Sequence, residues 1–269
     1  MISTASLTVH ELGDAEAVGT LVLLHGLTDS GLCWPDAVRR WGPSYRLFAV
    51  DFRGHGTSPR FTRAQLEADP GDLLLADTVG LVEDVVQLTG SPVVLVAHSM
   101  GAGLAGAAAA LRPDLVRAAV LEEPAWGIRR DEAEVQRLAL ERTAWVQEFR
   151  DDLSAAMARG LVENPTWPVA ELDPWARSKQ QADSGFLARG VAWPSLPWDE
   201  FARRIAVPTL VVTGDREVIV GERTRADIAA LANSHLEVAV VPGAGHCVRR
   251  DRGEEFHALV DPWLAKTAA

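Results

Sequence analysis

The chain has 269 residues, enough to bury a large core as one or two domains. A net charge of −11 and a pI near 5.1 argue against nucleic acid as a partner, since phosphate binding needs a basic surface. No apolar run approaches the length of a membrane span, the N-terminus lacks a charged-then-apolar signal pattern, and Cys33 and Cys247 form no metal or redox motif, so a cytoplasmic protein without a membrane or metal partner is expected.

In chain order, strand patterns are predicted over 6–11, 20–25, 46–51, 92–97, 117–121, 209–213 and 236–241. Helical patterns fall near 34–41, 73–89, 100–111, 222–232 and 253–265, with Asp72 and Gly253 near starts and Gly90 and Pro113 near stops. This alternation predicts an α/β fold, a mostly parallel twisted sheet with helices on both faces. The pattern breaks between Glu123 and Val207, where a polar helical stretch is followed by one rich in proline and tryptophan. The predicted organisation is therefore a core of 1–123 and 207–269 with 124–206 inserted as a helical cap.

Four segments carry chemistry. Thr20–Leu24 runs into His25-Gly26-Leu27, a buried strand ending in a glycine turn. Val50 leads into Asp51-Phe52-Arg53-Gly54-His55-Gly56-Thr57-Ser58, whose glycines permit a tight turn that Arg53 is expected to brace locally. Pro92–Val96 leads to Ala97-His98-Ser99-Met100-Gly101 and then at once to an alanine-rich helix. Small residues two positions either side of Ser99 suit a sharp strand-to-helix turn that exposes the hydroxyl of a strained serine, a nucleophile elbow. Leu236–Val241 ends in Pro242-Gly243-Ala244-Gly245-His246.

On these segments the chain resembles the α/β-hydrolase superfamily from about residue 7 to the end. The superfamily often has two strands before the His-Gly strand, and about twenty residues leave room for one of them to be short or missing. The resemblance implies Ser99 as nucleophile and His246, in the loop after the last strand, as its base. It implies the backbone N–H groups of Leu27 and Met100 as oxyanion donors. For the carboxylate that orients His246, the usual position after the strand at 209–213 is Glu217, with Asp215 two residues earlier. Glu123, in Leu121-Glu122-Glu123-Pro124, is the alternative acid, at a position some members use.

Six of the nine tryptophans lie in the cap interval, which predicts an apolar, aromatic wall over the serine, with Trp126 and Trp193 touching substrate. Trp34 is a further candidate, with packing against the sheet as its other reading. A serine at the elbow argues against the dehalogenase and epoxide-hydrolase branches, which need an aspartate there. Acyl-homoserine lactonases can carry a glutamate in the Glu217 position and resorcylic-lactone hydrolases in the Glu123 position. The expected function is cleavage of a small, largely apolar ester or lactone through an acyl-enzyme with a Ser-His-Glu triad and no cofactor. Carbon–carbon bond hydrolysis, perhydrolysis and ligand reception with little turnover are the alternatives. Caps of this kind sometimes pair, so a homodimer is a further expectation.

Overall fold

Runs of Val, Leu and Ala without internal proline set the strands of the computed structural model, which describes residues 7–17, 19–128, 130–190 and 193–268. These are β1 (Thr8–Gly13), β2 (Gly19–Leu24), β3 (Tyr45–Asp51), β4 (Val93–His98), β5 (Val116–Glu122), β6 (Thr209–Thr213) and β7 (Leu236–Val240). They form one sheet in the order β1-β3-β2-β4-β5-β6-β7, with β1 antiparallel to β3 and the other neighbours parallel. Among the described residues one strand precedes β2.

Every residue of β4 and β6 is buried, which is why these strands read as continuous apolar runs instead of alternating ones. Alternate side chains feed two cores. Val22, Leu24, Leu95 and Ala97 pack on one face with α3 (Pro70–Thr89) and α4 (Ser99–Leu111). Leu21, Leu23, Val94 and Val96 pack on the other with α1 (Pro35–Trp41) and α12 (Gly253–Thr267). The short α2 (Arg63–Glu67) leads into α3, α10 (Glu222–Ala230) joins β6 to β7, and α11 (Val248–Asp251) precedes α12. Helix α3 starts three residues earlier than predicted. The Asp69 carboxylate caps it, accepting from the N–H groups of Gly71 and Asp72, and Pro70 fits the first turn.

The turn after β3 is structural. Burial would raise the Asp51 carboxyl, but the His10 imidazole (3.4 Å) and the N–H groups of Thr57 (2.9 Å) and Gly31 (2.7 Å) that bond to it lower its pKa to about 2. A Cβ at Gly56 would sit 2.1 Å from that carboxylate, so only glycine fits. Arg53 does not bond locally as expected. It reaches α3 and makes a buried, two-pronged pair with Asp77 at 2.8 and 3.1 Å.

Between β5 and β6 the chain forms α5 (Glu132–Asp151), α6 (Leu153–Glu163), α7 (Val169–Gln180), α8 (Ser184–Arg189) and α9 (Trp198–Arg204). Phe149, Trp167, Leu172 and Trp175 make a small core of this insert, with Trp145 against it. Several of its tryptophans therefore anchor the insert itself. Among the described residues no helix is long and apolar enough to cross a membrane.

Candidate active site

Ser99 stands where β4 turns directly into α4, with φ at +54°. A non-glycine residue in that left-handed region costs about 1–3 kcal/mol, so the surroundings must impose it. They do. A Cβ at Gly101 would lie 2.5 Å from the carbonyl oxygens of Leu24 and His25, and one at Gly26 would lie 3.1 Å from the Ser99 Cβ. The turn is thus wedged against the end of β2, which leaves the serine at the open edge.

His246, in the loop after β7, brings Nε2 to 3.0 Å from Ser99 Oγ. Its other nitrogen, Nδ1, lies 3.3 Å from Glu123 Oε2. Glu123 follows β5 directly, is fully buried, and also accepts from Ile219 N (2.6 Å), Val220 N (3.4 Å) and the Thr213 hydroxyl. A carboxylate only accepts, so Nδ1 carries the proton and the Nε2 lone pair faces the serine hydroxyl. That is the tautomer a general base needs.

The expected pairing of Glu217 with His246 is not found. Glu217 has φ at +51°, is exposed, and sits on the cavity wall. The loop after β6 turns there and gives Glu123 its backbone, through Ile219 and Val220, instead of giving His246 a carboxylate. Asp215 accepts from Gly243 N at 2.8 Å and so ties this loop to the one bearing His246. Glu122 faces the other way, towards Arg249 N at 2.8 Å.

Three further histidines, His25, His55 and His98, are buried, and burial lowers each imidazole. His25 Nδ1 donates to Gly26 O (2.8 Å) while Nε2 accepts from Phe52 N (3.1 Å), which fixes the turn that carries Leu27. Burial drives the His55 imidazole down to about 3. His98 donates from Nε2 to His246 O at 3.0 Å, and burial followed by nearby His246 holds it well below the usual range.

Ser99 and His246 open into a cavity of about 570 Å³. Leu27, Met100, Ile128, Trp193, Val218 and Ile219 give it an apolar wall, and Arg130, Glu134, Arg142 and Glu217 a charged one. Core and insert both contribute. The N–H of Met100 belongs to the first turn of α4, where helical N–H groups lack intrahelical acceptors. A second cavity of about 350 Å³ shares Met100, Ile128 and Trp193 and is lined further by Trp126 and Trp198. Trp193 therefore touches both spaces. Trp126 touches only the second, stacked on Trp198 at 5.5 Å and packed over Gly106. Trp34 lines neither. It is buried beneath the sheet with the Arg249 guanidinium 4.2 Å above its ring, so its packing reading holds. Among the described residues no cluster of His, Cys, Asp and Glu could hold a metal ion.

Sequence reasoning missed a buried ionic network behind the site. Asp29, two residues past Leu27, accepts from Lys179 of α7 (2.5 Å) and Arg250 of α11 (2.9 Å). Arg250 also pairs with Glu171 of α7 at 2.9 Å. Burial would raise the Asp29 carboxyl, but Arg250 and Lys179 override it and hold it well below the usual range. The network ties the Leu27 turn, the His246 loop and the insert into one unit. Asp29→Ala leaves the buried Lys179 without a carboxylate and Arg250 with Glu171 alone, and is expected to cost about 3–5 kcal/mol, read as a fall in the denaturant midpoint. An unchanged midpoint would show that the network contributes nothing to stability.

A serine on a strained strand-to-helix turn, a histidine after the last strand and a seven-stranded sheet with a helical insert define the α/β-hydrolase architecture. The model of the alpha/beta hydrolase family matches residues 21–259, and the chain belongs to that family. Its relatives are hydrolases. A 2-(acetamidomethylene)succinate hydrolase of Mesorhizobium japonicum is 29% identical over 260 residues, covering 92% of this chain and 87% of the relative. A carboxylesterase of Bacillus subtilis is 25% identical over 258 residues, covering 91% and 80%. A crystal structure of an E-2-(acetamidomethylene)succinate hydrolase superposes with a TM-score of 0.79 at 25% identity, covering 96% of this chain and 95% of that one.

Proposed function

We propose that the protein is a serine hydrolase that cleaves a small ester or lactone through an acyl-enzyme, with Ser99, His246 and Glu123 as its triad. The carrying observation is the continuous relay from Glu123 Oε2 through His246 to Ser99 Oγ, at 3.3 and 3.0 Å. Ser99 Oγ attacks the acyl carbon as His246 Nε2 takes its proton. Glu123 stabilises the imidazolium and keeps the ring in register. The N–H groups of Leu27 and Met100 receive the developing oxyanion, each donor worth about 10²–10³-fold in rate. His246 then gives its proton to the leaving alkoxide, and water activated by the same imidazole releases the acid.

The apolar wall from Leu27 to Ile219 suits a short acyl chain or ring, and the insert serves as its cap. The relatives support hydrolysis in general. One acts on a succinate derivative and another is a carboxylesterase. The test is acid release from a panel of short-chain esters and five- to seven-membered lactones, followed by pH-stat. Turnover of at least one of them, absent in Ser99→Ala, is expected. A folded protein that binds panel members stoichiometrically yet turns none over would favour the ligand-receiving alternative.

A further inference from the structure

Helix α5 turns one stripe inward, and its buried residues Ala139, Val146 and Phe149 mark that stripe. Arg142 stands on it, three residues from Ala139 and four from Val146. An apolar residue would ordinarily fill such a position. The residues three and four away, Leu138, Ala139, Trp145 and Val146, carry no charge. Glu141, its chain neighbour, is taken by Arg137 at 2.8 Å. Among the described residues Arg142 has no hydrogen bond and no carboxylate at ion-pair distance. The side chain is half-buried and lines the cavity that holds Ser99 and His246.

Two carboxylates share that cavity wall. Glu134 lies 3.7 Å from Arg130, and Glu217 is exposed at the rim. Burial first, and then the like charge of Arg130, push the Arg142 guanidinium below its ordinary value, in keeping with its having no carboxylate at ion-pair distance among the described residues. A half-buried cation is costly to hold without a partner, and a guanidinium fits a carboxylate through two parallel hydrogen bonds.

We infer that Arg142 receives a carboxylate of the substrate, so that the substrate is a small ester or lactone bearing one free carboxylate besides its scissile acyl group. This rests on the serine-hydrolase reading. The apolar wall then holds the connecting chain, and the charged group is fixed at the α5 end of the cavity.

The test compares two series by pH-stat: monomethyl esters of malonate, succinate, glutarate and adipate, and methyl esters of the neutral acids of matching length. The wild type is expected to favour one carboxylate-bearing ester by about 10–100-fold in kcat/KM over its neutral counterpart. Arg142→Met, whose side chain suits the inward stripe, is expected to bring the two series together, chiefly through a rise in KM. Arg142→Lys should restore part of the preference. A second measurement needs no turnover. Calorimetric binding of glutarate and adipate to Ser99→Ala is expected, and its loss in Ser99→Ala/Arg142→Met. Equal handling of both series by the wild type, or a preference that survives Arg142→Met, would overturn the inference while leaving the hydrolase reading intact. If neither series is hydrolysed and Ser99 is unreactive, the hydrolase reading fails. The diacid titration still decides whether Arg142 binds a carboxylate.

Discussion

Ser99→Ala is expected to lower turnover by about 10⁵–10⁶-fold while leaving the protein folded. The hydroxyl is the one group 3.0 Å from the His246 lone pair, so its removal ends covalent chemistry. What survives is the oxyanion and binding contribution, since the Leu27 and Met100 N–H groups are untouched. His246→Ala should fall into the same range, and the double variant should be no worse than either single one, because the two groups act as a unit. Thermal unfolding is expected within a few degrees of the wild type, as alanine meets the same φ of +54°. Steady-state kinetics on one hydrolysed ester decide this. Turnover in Ser99→Ala within tenfold of the wild type would remove the serine from the mechanism.

Glu123→Gln carries the second large effect, a loss of about 10³–10⁴-fold in kcat. The glutamine amide no longer offers His246 Nδ1 a full negative charge, so neither the tautomer nor the imidazolium is stabilised. The same change disturbs the bonds from Ile219 N and the Thr213 hydroxyl, and about 1–3 kcal/mol of stability should go with it. Kinetics must therefore be compared at a temperature where both proteins are fully folded. Glu217→Gln is the control, expected within about threefold of wild type on neutral esters, because its carboxylate is exposed and makes no contact with His246. A larger loss in Glu217→Gln than in Glu123→Gln would return the acid role to Glu217.

That pair of residues marks where the sequence stops being informative. Strands, elbow, base loop and insert are legible because each is local: an apolar run, a small-x-Ser-x-Gly turn, a loss of strand pattern. The acid is not local. Glu123 and Glu217 both follow strands, and the path of the loop after β6 decides between them. There Glu217 takes φ of +51° and the chain sends Ile219 N to Glu123. Trp34 posed a similar choice, and the guanidinium that stacks over its ring belongs to Arg249, far along the chain. The ionic network was invisible for the same reason. Asp29 and Arg250 are 221 residues apart, and neither sits in a pattern that announces a buried charge. Arg142 was legible in principle, as an arginine on the apolar stripe of an amphipathic helix, but only the fold shows that its side chain lines the cavity of the serine.

The most direct test of Ser99 as an activated nucleophile is labelling with a fluorophosphonate, followed by mass mapping of the modified peptide in the wild type and in His246→Ala. A single adduct on Ser99, formed at stoichiometric yield and lost when His246 is removed, is the predicted result. A folded wild-type protein that takes no label, or takes it at another residue, would contradict the assignment of Ser99 and His246 as nucleophile and base.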